Sequence, residues 1–383
     1  MTRIQIVNHI VILAILATAA FAQPAVTVIK APAGCFVPDV IVNAKGAVHM
    51  VYALNKNAYY VGSADNGKTI TEPVKVNSES TVCFTMGERG PKLAVGGDGV
   101  IHVVWMDIWS PGVKTFARHA RSTDGGKTFQ PLKVISSMSG NDGLTIAADD
   151  KGNVLAFWHT MNPPTTGLPK AATFLHVVRS TDSGATWGKD EHVKIANLTE
   201  LACSMCMMRA RIAADGSVLL AFRSAENSIR DFYVLKGSVK ENSFTAIRVN
   251  KDEWNLDSCP MCGPSLELDP AGRAVCAFMM RHKVYWSVAD PAVAAFKLHV
   301  ATPANENDEI YPTAVANKRG DVLMAWQVGP MSTTGTATVK WALYKPDGQF
   351  AGQQATLGKT TSGTKPTAFV GTDDNFYVVT TAR

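Results

Sequence analysis

Two short stretches concentrate the sulfur of this chain. "CSMCMMRAR" at 203–211 and "SCPMCGP" at 258–264 each hold a Cys-x-x-Cys pair, in a sequence with seven cysteines. Cysteines at this spacing can chelate one ion, work as a redox dithiol, or be oxidised into staples. A thioredoxin-type dithiol needs its thiolate at a helix start, and neither stretch reads as one. Covalent haem is excluded, because Met207 and Gly263, not histidines, follow the second cysteines. The 53 residues from Cys206 to Cys259 are too many for a zinc-ribbon knuckle, so only the fold can bring the pairs together. Cys276, in the apolar run "AVCAF", reads as a small buried hydrophobe. Setting it aside leaves Cys35, Cys83, Cys203, Cys206, Cys259 and Cys262. Six cysteines fit three disulfides, for which about fifteen pairings exist. The other reading is a soft-metal site at Cys203, Cys206, Cys259 and Cys262, copper first and zinc through cysteines alone. Methionines such as Met86, Met205, Met207, Met208 and Met261 lie nearby in sequence.

Positioning these residues falls to a repeat. Extended segments with apolar alternation, a Gly or Asp turn and a strand ending in an aromatic or apolar residue start at Pro38, Pro91, Leu144, Ala210, Pro264, Pro312 and Pro366. A second pattern, S-x-D-x-G-x-T, starts at Ser63, Ser122 and Ser180, 59 and 58 residues apart. Its chemistry is that of a tight hairpin: Asp accepts backbone N–H bonds, Gly supplies positive φ, and Thr and an aromatic pack behind. Four-stranded units of about fifty residues read as an all-β propeller of six or seven blades. The repeat count favours seven. "VTVIK" at 26–30 reads as a stray fourth strand, through which the N- and C-termini close one shared blade. Strand alternation puts the loops before inner strands and those after second strands on one face, and the six loop cysteines all precede inner strands.

At the start of the chain, Arg3 is followed by an apolar run from Ile10 to Ala20 and by Ala20-Phe21-Ala22, a signal-peptide pattern. Residues 1–22 are expected to be cleaved, leaving 23–383 as a single domain, periplasmic or secreted. No later stretch is apolar enough to span a bilayer, and no cysteine follows the cleavage site to carry a lipid. A formal charge of +5 without basic runs argues against nucleic acid as a partner. Export permits disulfides.

The three S-x-D-x-G-x-T turns resemble the Asp-box (BNR repeat) of the sialidase-like β-propeller superfamily, and the strand repeat extends that likeness over nearly all of residues 23–383. The resemblance implies a ligand site at the channel mouth, with sialoside-type glycan binding or exo-glycosidase activity. Arg89-Gly90-Pro91 resembles the R-x-P that carries the first family arginine, with Gly in place of the usual Ile. Asp107 then stands where an acid would. "DGSVLLAFRSAENSIRD" resembles the segment of the second arginine, making Arg223 or Arg230 the clamp and Glu226 a carboxylate beside it. Arg281 would be the third arginine and Tyr311 the nucleophile, with Glu309 near it. A planar guanidinium suits the clamp because it binds carboxylate bidentately. His159 and His282 fall on the same face. Three functions therefore compete: a glycan hydrolase or binder, a Cys/Met copper protein, and a non-catalytic scaffold for a protein partner.

Overall fold

The computed structural model describes residues 24–77, 83, 85–107, 115–160, 172–290, 292–302, 308–329, 336–361 and 365–381. The segment read as an export signal lies outside them. The described elements are strands, apart from one 3-10 turn at Glu226–Ser228, and they form seven sheets around a central axis. The chain is a seven-bladed β-propeller.

Read from the axis outward, the first blade is Phe36–Val42, Val48–Leu54, Asn57–Ser63 and Val74–Lys75. Blade two is Lys92–Val95, Ile101–Met106, Ala117–Ser122 and Lys133–Val134; blade three is Asn141–Ala148, Val154–Thr160, Ala172–Ser180 and Glu191–His192. Blade four is Arg209–Ile212, Ser217–Arg223, Phe232–Ser238 and Thr245–Arg248; blade five is Ser265–Leu268, Ala274–Met280, Lys283–Ala289 and Phe296–Ala301. The sixth is Glu309–Ala316, Val322–Val328, Thr336–Tyr344 and Phe350–Thr361. Neighbouring strands within these sheets are antiparallel. Blade three gains a fifth strand, Leu201–Cys203, on the outer side of Ala172–Phe174.

The seventh sheet departs from expectation. Thr367–Val370 and Phe376–Thr380 form its inner pair, and Val26–Lys30 joins as a third strand, parallel to Phe376–Thr380, with Val26 beside Phe376 and Lys30 beside Thr380. The N-terminal strand does close the ring, but from the third position rather than the fourth. Its direction explains this. It must finish on the face where the inner strand of blade one begins, as any fourth strand does, and with no described strand in between it pairs directly with the second strand, which runs the same way.

The S-x-D-x-G-x-T turns bind themselves internally and their neighbours externally. In each, the Ser Oγ donates to the Asp at 2.7–2.8 Å and accepts the Gly N–H at 2.8–2.9 Å, while the Thr N–H donates to the same carboxylate. Bonds from Thr69 hold Asp65 down to about 2. The Gly then lies flat against the preceding blade. A Cβ on Gly126 would meet the Tyr60 ring at 2.1 Å, one on Gly67 would meet Ile29 at 2.5 Å, and one on Gly184 would meet His119 at 2.9 Å. The aromatic of the turn adds an edge contact, Phe129 on Tyr60 and Trp187 on His119. Blades one to three are thus keyed in sequence by one repeated turn.

Gly126 and Gly125 both have positive φ, but Gly125 has no atom within 4 Å of its Cβ position. Gly126→Ala is therefore expected to lower stability by about 1–3 kcal/mol more than Gly125→Ala, through overpacking, as measured by urea unfolding. Equal losses in the two variants would show that backbone strain, not the packing of blade on blade, sets the requirement.

Candidate functional site

The two ends of the axis differ. Toward the turns that join inner to second strands, all seven inner strands line a cavity of about 780 Å³, with Lys45, Arg211, Glu267, Asp269, Lys318 and Asp374 among its walls. At the opposite end, where the cysteine loops converge, the space among Asp39, Glu88, Lys92, Arg209 and Lys365 is only about 10 Å³. That mouth is filled by buried charge.

Asp39, on the inner strand of blade one, accepts the Leu93 N–H at 3.0 Å and pairs with Arg209 of blade four across the axis. Burial alone would raise its pKa, but Arg209 and Lys92 bring it down to about 2. Lys92 shows the opposite balance, burial carrying its ammonium down to about 8 despite Asp39. Arg209 also approaches Glu267 at 4.0 Å, and Glu267 is held by Arg211. Glu88 stands at the centre, 1% exposed. One of its oxygens accepts the Met207 N–H at 3.0 Å and the Gly263 N–H, and Lys365 lies 3.7 Å from the other. Met207 and Gly263 are the residues directly after Cys206 and Cys262, so one carboxylate holds the same position of both Cys-x-x-Cys loops. Gly263 makes this close approach feasible, since its Cβ would lie 2.0 Å from the Met207 carbonyl oxygen.

Each cysteine loop bends through a methionine at positive φ, Met205 at 63° and Met261 at 49°. The loops bring the Sγ atoms of Cys203, Cys206 and Cys259 within 4.8 Å of one another, with Cys206 and Cys259 3.6 Å apart. Cys262 does not join them. Its sulfur accepts the Tyr311 N–H at 3.3 Å. Cys35 and Cys83 pack in the cores between blades, Cys276 is fully buried in another, and no two of the seven cysteines are bonded to each other in this structure. Burial pushes the Cys206 thiol up, but bonds from the Cys203 and Cys259 thiols and the Arg223 charge outweigh it, so Cys206 is the sulfur of the trio that ionises first.

The family-like residues sit around this mouth with partners of their own. Arg89 is 2% exposed and closed onto Asp142 of blade three, Nε to Oδ1 at 2.9 Å and Nη2 to Oδ2 at 2.7 Å. Gly90, where the family-like motif has Ile, abuts Val37, whose Cβ would lie 2.9 Å from an added Cβ. Arg223 spans the second cysteine loop: Nη1 donates to the Arg230 carbonyl at 2.7 Å and Nη2 to the Cys262 carbonyl at 3.0 Å, over the Phe232 ring. Arg230 donates to the Ser258 carbonyl at 2.9 Å. Arg281 is exposed in a hairpin turn with His282, donating to the Glu253 carbonyl at 2.8 Å. The four arginines thus each reach acceptors of their own, and none shares one of these acceptors with another. Asp107 pairs with Arg118 at 2.7 Å, and Glu226 sits in the 3-10 turn behind the first cysteine loop.

Tyr311 takes φ of 53° at a bulge before Pro312, a costly conformation for an aromatic residue, and its hydroxyl reaches toward Gly87. Burial pushes the phenol well above its ordinary range. Glu309 turns away to accept from Val284 N–H and Thr302 Oγ1. His159 meets the Cys206 carbonyl at 3.2 Å, whereas His282 faces Asp308 at the surface. Sequence reading missed Glu88 and Asp142, whose partners are 53 or more residues away. It also placed the open end of the axis at the cysteine face.

No known family profile matches the sequence, and no curated protein matches it. Solved structures do match in fold. A protein of unknown function from Dyadobacter fermentans superposes with a TM-score of 0.55 at 17% identity, over 79% of this chain and 93% of that one. An α-L-arabinofuranosidase from Fusarium graminearum gives 0.57 at 12% identity, over 82% and 93%. A PL25 ulvan lyase gives 0.53 at 11% identity, over 88% of each chain. These neighbours include carbohydrate-acting propellers, and at such identities the likeness is one of fold. No described helix is long and apolar enough to cross a membrane.

Asp39→Asn removes the close charge partner of buried Arg209 and leaves it only the more distant Glu267, and is expected to cost about 3–5 kcal/mol. Because Asp39 ionises more readily folded than unfolded, its pairing stabilises the protein fully above pH 3.8 and this is lost as the pH falls through about 2. Unfolding free energies measured from pH 7 to pH 2 should therefore fall more steeply for the wild type than for Asp39→Asn at the acid end. Parallel curves would remove the Asp39–Arg209 pair as the cause.

Proposed function

We propose that this chain is an exported carbohydrate-binding propeller that holds an acidic, sialoside-type sugar in its axial cavity. The observation that carries the reading is that cavity. About 780 Å³ falls within the range of small-ligand sites, and the walls combine charged side chains with the apolar edges of inner strands. Sugars need both, hydrogen-bonding groups for their hydroxyls and apolar surface for their C–H faces. Lys45 and Lys318 are exposed cations at its rim, suited to a carboxylate. The arabinofuranosidase and ulvan lyase of like fold are consistent with carbohydrate as the ligand class.

Binding is favoured over hydrolysis. A sialidase-type reaction at the cysteine face needs free guanidiniums and a tyrosine activated by a carboxylate. Arg89 is occupied by Asp142, and Glu309 is bonded away from Tyr311. The arginine-clamp alternative requires Arg89 to exchange Asp142 for a substrate carboxylate.

Calorimetric titration with sialyllactose and with lactose tests this. The acidic sugar is expected to bind about tenfold more tightly, a difference of about 1.4 kcal/mol, and Lys318→Glu should abolish that preference without altering the fold. Failure of both sugars to bind at millimolar concentration rejects the proposal. Turnover of a fluorogenic sialoside that disappears in Arg89→Lys, with thermal stability retained, would move the site to the cysteine face.

A further inference from the structure

The sulfur cluster at the closed mouth has no part in the sugar reading. We propose that Cys203, Cys206 and Cys259 form a three-thiolate site for Cu(I). Their Sγ atoms lie within 4.8 Å of one another, and the nearest pair is 3.6 Å apart. An ion with metal–sulfur bonds of about 2.3 Å holds its sulfurs about 4 Å apart when trigonal. The observed triangle therefore needs only small side-chain adjustments to close on a metal.

The donor number selects the ion. Structural zinc takes four protein ligands, and Cys262, the obvious fourth, is turned to the Tyr311 N–H. Soft thiolates in threefold array suit Cu(I). Cys203 and Cys206 are buried, while Cys259 is partly exposed, which gives an ion a route in. Arg223, behind the trio, supplies positive charge against the surplus of thiolate.

What makes this a built site is its support. Glu88 fixes both loops at the residue after the second cysteine. Arg223 and Arg230 hold the carbonyls of Cys262 and Ser258 on either side of Cys259. The Met261 N–H donates to Cys259 Sγ at 3.3 Å, and the Cys259 thiol donates in turn to the Ser204 carbonyl of the first loop, so the sulfur is held from both sides. Such supports orient the ligands, and losing one typically costs about 10- to 100-fold in metal affinity. On loading, each coordinating thiol loses its proton to solvent and forms one Cu–S bond, and the copper stays Cu(I) throughout.

The test is titration of the reduced protein with Cu(I), without oxygen, against the chelator bicinchoninate. One Cu(I) per chain is expected, with ultraviolet thiolate-to-copper absorption, and mapping by mass spectrometry should show copper slowing the alkylation of Cys203, Cys206 and Cys259 relative to the copper-free protein while leaving the slow labelling of the other four, buried cysteines unchanged. That mapping needs no variant, so a misfolded mutant cannot obscure it. Cys259→Ser is expected to weaken binding by more than about 100-fold and Glu88→Gln by about tenfold, while Cys276→Ser binds as the wild type does. A reduced protein that yields all its copper to the chelator overturns the proposal. So does a Cys262→Ser variant that loses as much as Cys259→Ser, since that would make the site one of four sulfurs.

Discussion

A carboxylate shut away from water survives only where donors converge on it, and Glu88 is that group at the closed end of this propeller. It rises from the loop ahead of blade two and takes backbone N–H groups from loops ahead of blades four and five, with the Lys365 ammonium of the segment before blade seven beside it. Four of the seven blades are therefore tied across the axis by one side chain. Apolar packing between adjacent blades cannot do this, because each blade touches only its two neighbours. The Asp39–Arg209 pair adds a second cross-axis tie, from blade one to blade four. Both are worth their desolvation only because every charge has its partner.

Between the first three blades and those before them the logic is local and repeated. In blades two and three the hairpin turn carries a glycine that lies against a ring of the blade before, and an aromatic that packs edge-on to the same ring; in blade one the glycine meets Ile29 instead. This much was legible in the sequence, because S-x-D-x-G-x-T at a constant step, together with period-2 strands, encodes both the turn and its recurrence. Seven inner strands could be counted from the same pattern. The parallel seating of Val26–Lys30 was not legible, because alternation in a five-residue strand says which face is buried and nothing about the partner or its direction.

The site was legible in part for a related reason. Spacing shows that two Cys-x-x-Cys loops lie on one face, ahead of adjacent inner strands. It does not show that the loops are offset, so that three sulfurs meet while Cys262 faces Tyr311. Nor can it show that Arg89 belongs to Asp142, 53 residues on, or that Arg223 and Arg230 spend their donors on loop carbonyls. An arginine in a family-like position and one bracing a loop are the same letter, and only the acceptor distinguishes them. Glu88, one carboxylate in a loop, looks like an ordinary solvated residue until its neighbours are placed.

The ends of the axis are joined by charge rather than by open space. From the cysteine loops the sequence of contacts runs through Glu88, whose carbonyl accepts from Lys92, to Asp39 beside Lys92, then to Arg209, Glu267 and Arg211 at the wall of the open cavity. Glu267 is the shared member, facing Arg211 on the cavity side and Arg209 on the buried side. A carboxylate ligand drawn to Arg211 would compete with Glu267, and whatever Glu267 loses there it can regain only from Arg209, which is already committed to Asp39. Because Asp39 and Arg209 are buried beside Glu267, the charge at the cavity wall and the charge that closes the mouth cannot be set independently.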